Sequence, residues 1–299
     1  MTDNDYLQDV LASQTLDPDG PELKALQDER AKVEKLLRNK FGYSPTIKYG
    51  GSKAKGTMIK VSYDLDIIEY FPHDDTSAGE TLEEIYNNTY NALCEDYLVE
   101  RKGSALRLKD KNQQSYGTDF HIDVVPGRYI DGDEGDVFLY RSTGEKKRLK
   151  TNLDVHIAHV KDSGVIDAIR LMKFWRVLNA VPIKNFALDL LTIKLLKNLK
   201  NSPLSDQLIH IWEEFRDNSD SLSIEDPANP AGNDLSEMLS TYIRSCLKQI
   251  ATSTLITLEN SGWEAIFGKV EKSSDDDKKA SLLRIAATLP RQSKPWSYG

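Results

Sequence analysis

The sequence predicts an α+β protein in two parts, a mixed-sheet N-terminal half and a helical C-terminal half. Short strand-like segments are concentrated before residue 160, whereas amphipathic helical patterns fill most of the chain after it. A length of 299 residues suits one large domain or two intertwined lobes. We therefore expect a core domain at residues 1–160 and a helical lobe at residues 161–299.

The N-terminal half contains one long helix before its first strand. Apolar residues recur at helical spacing over residues 21–41, and Pro21 suits the first turn of a helix. This first helix could pack on the C-terminal lobe, which would make the two domains discontinuous in sequence. Strands are predicted at residues 46–49, 63–71, 97–99, 106–108 and 119–125, and a second helix at residues 81–97.

The C-terminal half contains four segments in which apolar residues recur at helical spacing. Strand-like alternation is missing from these segments, so we expect a lobe built mainly of helices. The predicted helices cover residues 165–176, 186–199, 204–215 and 235–250.

The composition is that of an ordinary folded protein, with 39% hydrophobic and 29% charged residues. Apolar runs are too short to cross a bilayer, and residues 1–5 are acidic, unlike the start of a signal peptide. The two cysteines form no metal-ligand spacing. We expect a cytoplasmic protein that does not associate with membranes.

The charge balance bears on the class of ligand. The net charge is −8, from 47 acidic and 39 basic residues, whereas proteins that grip long nucleic acids usually present a basic surface. The one dense basic run, residues 146–150, is interpreted as a solvated loop or hairpin edge. These features favour small nucleotides as ligands and predict no stable complex with nucleic acid.

Two aspartates lie on the predicted strand 63–71. Asp64 and Asp66 are two residues apart, so their side chains point to the same face, about 6–7 Å apart along a strand. Aspartate is a poor strand former, and a bound cation could offset that cost. Taken alone, the pair also fits an exposed strand edge.

A third aspartate, Asp123, lies on the predicted strand 119–125. If this strand pairs beside the first, three carboxylates converge. Mg²⁺ takes oxygen ligands, and two ions about 4 Å apart could activate a hydroxyl and neutralise a leaving pyrophosphate. Asp64, Asp66 and Asp123 are therefore the candidate catalytic and metal-binding residues.

A glycine-serine turn precedes the aspartate pair. Gly51 and Ser52 would present backbone N–H groups and a hydroxyl to an anion, and glycine allows the backbone to approach a phosphate closely. Lys55 adds a positive charge, and Thr57 closes the turn. This turn, followed by Asp-x-Asp and a later strand aspartate, predicts a nucleotide site.

The stretch from Gly51 to Asp66 resembles the signature of the polymerase-β-like nucleotidyltransferases. Within that superfamily the chain resembles the bacterial cGAS/DncV-like nucleotidyltransferases, which are related to the 2′-5′-oligoadenylate synthetases. Three later segments support the narrower resemblance: His121–Pro126, Leu171–Trp175 and Ile224–Asn233. These landmarks follow the family's order from residue 51 to residue 233.

The resemblance implies the two-lobed polymerase-β-like fold and roles for four further residues. Lys173 would reach the substrate triphosphate, and Asp226 and Asn233 would line the nucleotide pocket. Asn185 stands where many relatives have a serine, so the phosphate contact there is less firmly implied. On residue type alone, Lys173 is interpreted as a solvated helix lysine, and only the resemblance reverses this. Asp226 is equally an Asx-turn or helix-cap residue.

The activity implied is Mg²⁺-dependent synthesis of a cyclic di- or trinucleotide from nucleoside triphosphates, with two metal ions for which Mn²⁺ can substitute. In bacteria such products act in anti-phage (CBASS) signalling, and a downstream effector binds the product rather than the enzyme. We expect a monomer. The alternatives are an RNA- or tRNA-tailing enzyme on the same fold, an inactive nucleotide-sensing module and, more distantly, a toxin-neutralising transferase that modifies a protein or an antibiotic.

Overall fold

The computed structural model describes residues 2–111, 122–132 and 135–270. Its centre is a seven-stranded mixed sheet in the order β1-β2-β5-β4-β3, with β6 paired to β5 and β7 paired to β6. The strands are β1 (Thr46–Tyr49), β2 (Leu65–Phe71), β3 (Tyr97–Arg101), β4 (Leu106–Asp110), β5 (Ile122–Tyr129), β6 (Val137–Tyr140) and β7 (Arg148–Thr151).

Strand β5 organises the sheet. It runs parallel to β2 along its length, while its other edge pairs first with β4 and then with β6, both antiparallel. The first half of β5, which carries Asp123, is therefore enclosed between β2 and β4. Both of its edges are hydrogen-bonded, and the side chains there are buried.

Helices cover the sheet and form the second part of the molecule. They are α1 (Asp3–Ser13), α2 (Pro21–Phe41), α3 (Gly51–Lys55), α4 (Leu82–Leu93), α5 (Leu153–Lys161), α6 (Ile166–Leu178), α7 (Asn185–Leu195), α8 (Leu204–Asp217), α9 (Thr241–Ser261) and α10 (Glu264–Phe267). Two short 3₁₀ turns lie at Ser219–Ser221 and Ser236–Leu239.

Helices α2 and α4 cover one face of the sheet. Val33 and Leu37 of α2 recur at helical spacing and are buried in one apolar cluster with Ile67 and Phe71 of β2. The long N-terminal helix therefore packs on the sheet, not on the helical lobe as considered above. The physical reason is that its apolar stripe meets the apolar face of β2.

Of the helices that precede the first strand, α1 is the one that packs in the helical lobe, and it was not predicted from the sequence. Tyr6, Leu7, Val10 and Leu11 are buried with the aromatic residues of α6, α8 and α10. Thr2 caps the helix in a reciprocal capping box. The helical lobe thus includes residues from the start of the chain.

Helix α5 connects the two parts, because its Leu153 belongs to a sheet-side cluster and its Val160 to the helical core. The division of the chain near residue 160 stays a prediction. None of the helices in the described part of the chain combines the length and apolar character that a bilayer crossing requires.

Most predicted elements are present with shifted ends. Strand β2 begins at Leu65, so Asp64 lies just before it, and α4 ends at Leu93 rather than near residue 97. Residues 119–121 of the predicted third-aspartate strand lie outside the described residues. The basic run 146–150 enters β7, the outer strand of a hairpin, which confirms the hairpin-edge interpretation.

Candidate active site

Asp66 and Asp123 lie side by side on neighbouring parallel strands. They are register partners in the pairing of β2 with β5, so their side chains share one face of the sheet. Asp66 is 2% exposed and Asp123 is completely buried. Asp64, just before β2, is half-buried. The predicted convergence of two of the three aspartates by strand pairing is present.

The glycine-serine turn lies directly against Asp66. Gly51 begins α3 with φ of +55°, and a Cβ added to it would lie 1.6 Å from Oδ2 of Asp66. The N–H of the preceding Gly50 donates to the backbone carbonyl of Asp66 at 2.8 Å. Only glycine fits at position 51, because both the backbone conformation and the nearby carboxylate exclude a side chain.

Asp123 has a partner that the sequence analysis missed. Arg107 of β4 is its register partner on the other side. The Nε of Arg107 donates to Oδ1 of Asp123 at 2.9 Å, and Nη2 donates to Oδ2 at 3.0 Å. Burial lowers the pKa of Arg107, but the bonds and charge of Asp123, with a contribution from Asp64, raise it overall.

On the helical side, Lys173 of α6 is buried and joins the two parts of the molecule. Its ammonium forms an ion pair with Asp189 of α7 at 3.0 Å and donates to the hydroxyl of Thr57 at 2.6 Å. Burial lowers the pKa of Lys173, and the charge of Asp189 opposes that shift. The interpretation of Lys173 as a solvated lysine is wrong, because the helix face that carries it packs against the turn after α3.

Lys55 approaches the same aspartate. Its ammonium lies 3.9 Å from Oδ2 of Asp189 and 4.9 Å from the ring centroid of Phe186. Asp189 is therefore placed between two buried lysines, one from each part of the molecule. Asp189 was not among the predicted site residues, although it follows Asn185 by one helical turn and lies on the same helix face.

Asn185 is the first residue of α7. Its Oδ1 is buried and accepts no hydrogen bond from the described residues. An amide can present its NH₂ group to a phosphate and its oxygen to a hydroxyl or amino group. Asn185 could therefore bind a nucleotide through an amide, whereas a serine would bind it through a hydroxyl.

Asp226 and Asn233 are joined by a hydrogen bond that closes the loop between them. Asp226 accepts from the N–H of Ala228 at 2.9 Å, and this bond confirms the Asx-turn interpretation. Asn233 donates to Oδ2 of Asp226 at 2.7 Å, and the Nε2 of His156 lies 2.6 Å from Oδ1. Burial raises the pKa of Asp226, but the bonds with His156, Asn233 and Ala228 lower it below its ordinary value.

One cleft of about 1070 Å³ brings most of the predicted site together. Its floor contains the glycine-serine turn, and the β6–β7 hairpin with its basic run forms one side. Among the described residues that line it, the predicted site residues are Gly51, Ser52, Lys55, Asp64, Asp66, Lys173, Asn185, Asp226 and Asn233. Asp123 and Thr57 are completely buried and are not among the lining residues, whereas Asp189 and His156 are.

The aspartates fit a metal in part. Asp64 and Asp66 supply to the cleft the hard oxygen donors that Mg²⁺ prefers. Across residues 2–111, 122–132 and 135–270, no group of three or more acidic, histidine or cysteine side chains is arranged to hold an ion. The two carboxylates fit an ion whose other ligands come from substrate phosphates and water, while Asp123 is engaged by Arg107.

No protein-family model matches the chain, and no curated protein matches it by sequence. Solved structures do resemble it. The CdnC protein of Escherichia coli MS115-1, in complex with HORMA-deltaN, has a TM-score of 0.66 at 17% identity, and the match covers 91% of this chain and 99% of that one.

Two further structures are similar to a comparable degree. The CD-NTase CdnG of Bradyrhizobium diazoefficiens, in complex with GTP, has a TM-score of 0.65 at 14% identity and covers 96% of this chain and 99% of its own. The CdnE cyclic dinucleotide synthase of Elizabethkingia meningoseptica, with GTP and Apcpp, has a TM-score of 0.62 at 14% identity and covers 85% and 98%. These likenesses confirm the predicted α+β fold, a mixed sheet with a helical second part, which this chain shares with CdnC, CdnG and CdnE.

Proposed function

We propose that this protein is a nucleotidyltransferase that joins nucleoside triphosphates into a cyclic di- or trinucleotide. One observation carries the proposal. A single cleft contains the glycine-serine turn, the aspartates Asp64 and Asp66 and, from the helical part, Lys173 and Asn185. Those residue types match the needs of phosphoryl transfer, in which catalysis is mostly positioning and charge neutralisation. The similar structures of a cyclic dinucleotide synthase and of a CD-NTase with GTP support the same activity.

Asp64 and Asp66 would hold Mg²⁺, for which Mn²⁺ can substitute, and a second ion is expected with Asp123. When bound, the metal neutralises charge on the phosphates and on the leaving pyrophosphate. Asp66 is well placed for this role, because the register of β2 and the adjacent Gly51 fix its position. Asp123 is the proposed general base toward the acceptor ribose hydroxyl.

The remaining cleft residues would orient the nucleotide. Ser52 and the N–H groups of its turn would hold phosphate oxygens, and Lys173 would add charge from the opposite side. Asn185 would offer its buried amide oxygen to a hydroxyl or amino group of the substrate. Asp226 and Asn233 would act by shaping the wall of the pocket, since their polar groups bond one another.

The proposed product acts as a signal that a separate effector binds, in anti-phage (CBASS) defence of bacteria. The enzyme itself would work in the cytoplasm as a monomer without membrane or stable nucleic-acid partners. The resemblance of the motifs from Gly51 to Asn233 supports this role.

The test is to incubate the purified protein with the four nucleoside triphosphates and Mg²⁺ or Mn²⁺, and to identify products by mass spectrometry. The variant Asp64→Ala/Asp66→Ala should lose product and pyrophosphate release by at least ~10³-fold, because positioning and charge neutralisation supply most of the rate. Its fold should persist, as judged by circular dichroism.

A matched control is available in the chain. Asp17 and Asp19 have the same spacing in an exposed loop away from the cleft, so Asp17→Ala/Asp19→Ala should retain activity. Full activity of the cleft variant would contradict the catalytic assignment. Nucleotide binding without any product from the unmodified protein would instead support the inactive sensing module.

A second candidate function has one observation in its favour. The basic hairpin residues Lys146, Lys147 and Arg148 line the cleft, where they could hold a polynucleotide acceptor. An RNA- or tRNA-tailing enzyme would extend added RNA and form no cyclic product from nucleotides alone. Parallel reactions with and without RNA distinguish the two activities.

A further inference from the structure

Arg107, Asp123 and Asp66 form a row across three adjacent strands. Asp123 is the register partner of Arg107 on β4 and of Asp66 on β2. Register partners point to the same face of a sheet, and neighbouring strands lie ~4.8 Å apart. One cation and two carboxylates therefore stand in a row, in the order Arg107, Asp123, Asp66. Asp66 is at the end of the row that lines the cleft.

The bond between Arg107 and Asp123 is of the strong kind. Two of the three guanidinium nitrogens, Nε and Nη2, donate at 2.9 and 3.0 Å, one to each carboxylate oxygen. Arg107 is 4% exposed and Asp123 is fully buried. A bidentate pair shielded from water fixes the orientation of the carboxylate as well as neutralising it.

This pair competes with the role proposed for Asp123. A carboxylate whose two oxygens are both directed at a guanidinium does not present them fully to an ion beside Asp66. A bound divalent cation would also repel the positive charge of Arg107 across a short, buried distance. The same carboxylate thus has two possible cationic partners, one built into the chain and one bound.

We propose that Arg107 is a positioning residue that serves as the counter-charge of Asp123 while no metal is bound, and that metal binding draws Asp123 out of this pair. Arg107 thereby keeps the buried carboxylates compatible with the folded state before nucleotide and metal arrive, and it lowers the affinity of the site for metal alone. This inference rests on the proposed function, since it assumes that Asp123 serves a metal site.

The test measures thermal unfolding and Mn²⁺ binding in the absence of nucleotide. Arg107→Gln leaves Asp123 buried without its counter-charge, so without metal its Tm should fall by roughly 5–10 °C. Saturating Mn²⁺ should recover at least half of that loss and should raise the Tm of the variant more than that of the unmodified protein. Mn²⁺ affinity, followed by the paramagnetic resonance signal of free Mn²⁺, should rise roughly tenfold, because a nearby repelling charge is gone.

Two further variants keep the test decisive. Arg107→Gln/Asp123→Asn replaces the pair with neutral side chains of similar size, so it should be stable without metal and should gain less from Mn²⁺ than the unmodified protein. Arg128→Gln is the matched control, on β5, the strand of Asp123. Arg128 donates to the backbone carbonyls of Asp75 and Gly79, away from the carboxylates. Its loss of stability should not be recovered by Mn²⁺.

The outcomes separate this inference from the proposed function. Equal, non-zero Mn²⁺ shifts in the unmodified protein and in Arg107→Gln would overturn the role of Arg107 and leave the metal-dependent activity standing. A larger Mn²⁺ shift for Arg107→Gln, absent in the double variant, supports the inference. No Mn²⁺ shift in either protein would overturn the inference, and the metal assignment would then be decided by the Asp64→Ala/Asp66→Ala variant, because substrate phosphates complete the ligand set proposed for the ion.

Discussion

On the sheet side of the cleft, strand register fixes the position of Asp66, whereas on the helical side Lys173 is held by contacts with separate elements. The sheet wall, defined by Gly51, Asp64 and Asp66, has Asp66 aligned beside Asp123 through the backbone ladder. The helical wall, defined by Lys173, Asn185 and Asp189, depends on a buried ion pair and on a bond to Thr57. The backbone of a residue on paired strands is held by the hydrogen-bonded ladder, whereas a lysine placed by an ion pair depends on its partner side chain.

The two walls therefore suit different tasks. Metal ligands need positions accurate to a fraction of an ångström, which hydrogen-bonded strands can supply. Residues that hold phosphates must exchange an internal anion for an external one when the nucleotide arrives. Asp189, between Lys55 and Lys173, is that internal anion. The comparison predicts that damage to the sheet wall abolishes catalysis, while damage to the helical wall weakens nucleotide binding.

Among the single substitutions that test this comparison, the largest effect on activity is expected from Gly51→Ala. Its Cβ would lie 1.6 Å from Oδ2 of Asp66, so the carboxylate or the turn must move. A displacement of about 1 Å at a reacting centre costs on the order of 10²-fold in rate, and we expect pyrophosphate release to fall by that factor or more. Initial rates at saturating nucleotide measure it.

The control for this variant is Gly56→Ala. Gly56 also has a positive φ, +73°, but a Cβ there would meet no atom within 4 Å. It therefore imposes similar backbone strain without the collision. If both variants lose activity equally, strain in α3 rather than the position of Asp66 explains the loss, and the accuracy attributed to the sheet wall is contradicted.

Sequence reasoning found the sheet wall more completely than the helical wall, and the reason is physical. A strand alternates with a period of two, so the spacing of Asp64 and Asp66 alone predicted that they point the same way, and both residues line the cleft. The partner of Asp123 could not be found in the same way. Strand β4 was predicted, but which strand lies beside β5, and in which register, depends on contacts distant in sequence.

On the helical wall the missing information was burial. Lys173 has the same residue type and helical setting as a solvated lysine, and only the packing of α6 against the turn after α3 shows otherwise. Helix α1 was missed although its signals are present: Thr2 and Asp5 form a capping box, and the apolar pairs at residues 6–7 and 10–11 lie one turn apart. Their number is small, so periodicity alone was a weak indicator.

A smaller effect is expected when the helical wall is damaged by Lys173→Met. The variant keeps much of the side-chain volume but removes the charge, which leaves Asp189 with Lys55 at 3.9 Å. A hydrogen bond to a charged group contributes about 1.5–3 kcal/mol, so the KM for nucleoside triphosphate should rise roughly 10–100-fold with a smaller change in kcat. Steady-state kinetics give both constants.

Its control is Arg170→Met, on the same helix and one turn earlier. Arg170 donates to the hydroxyl of Thr15 at 2.7 Å and lies away from the cleft. That variant should lose some stability and leave KM unchanged. If Lys173→Met instead had a normal KM and a kcat reduced to background, Lys173 would be needed for catalysis, as the metal ligands are, and not for nucleotide binding. That result would contradict the difference proposed between the two walls.

The smallest effect on activity, with a clear effect on stability, is expected from Glu69→Gln on the opposite face of β2. Burial raises the pKa of Glu69 to about 8, although a bond from Thr89 and the charge of Arg38 act to lower it. The unfolded chain binds that proton only below about pH 4.5. The contribution of protonated Glu69 to the free energy of unfolding is therefore fully present below pH 4.5. It is lost as the pH rises from 4.5 to 8, by about 1.4 kcal/mol per pH unit.

Urea unfolding between pH 5 and pH 8 measures this dependence. Glu69→Gln stays neutral throughout, so its free energy of unfolding should fall less steeply with pH than that of the unmodified protein, and nucleotide transfer at pH 7 should be nearly unchanged. Glu95→Gln, at an exposed position, should keep the original slope. Parallel slopes for Glu69→Gln and the unmodified protein would mean that Glu69 is ionised in the folded state. Strand β2 would then carry a charged carboxylate on the face opposite the cleft.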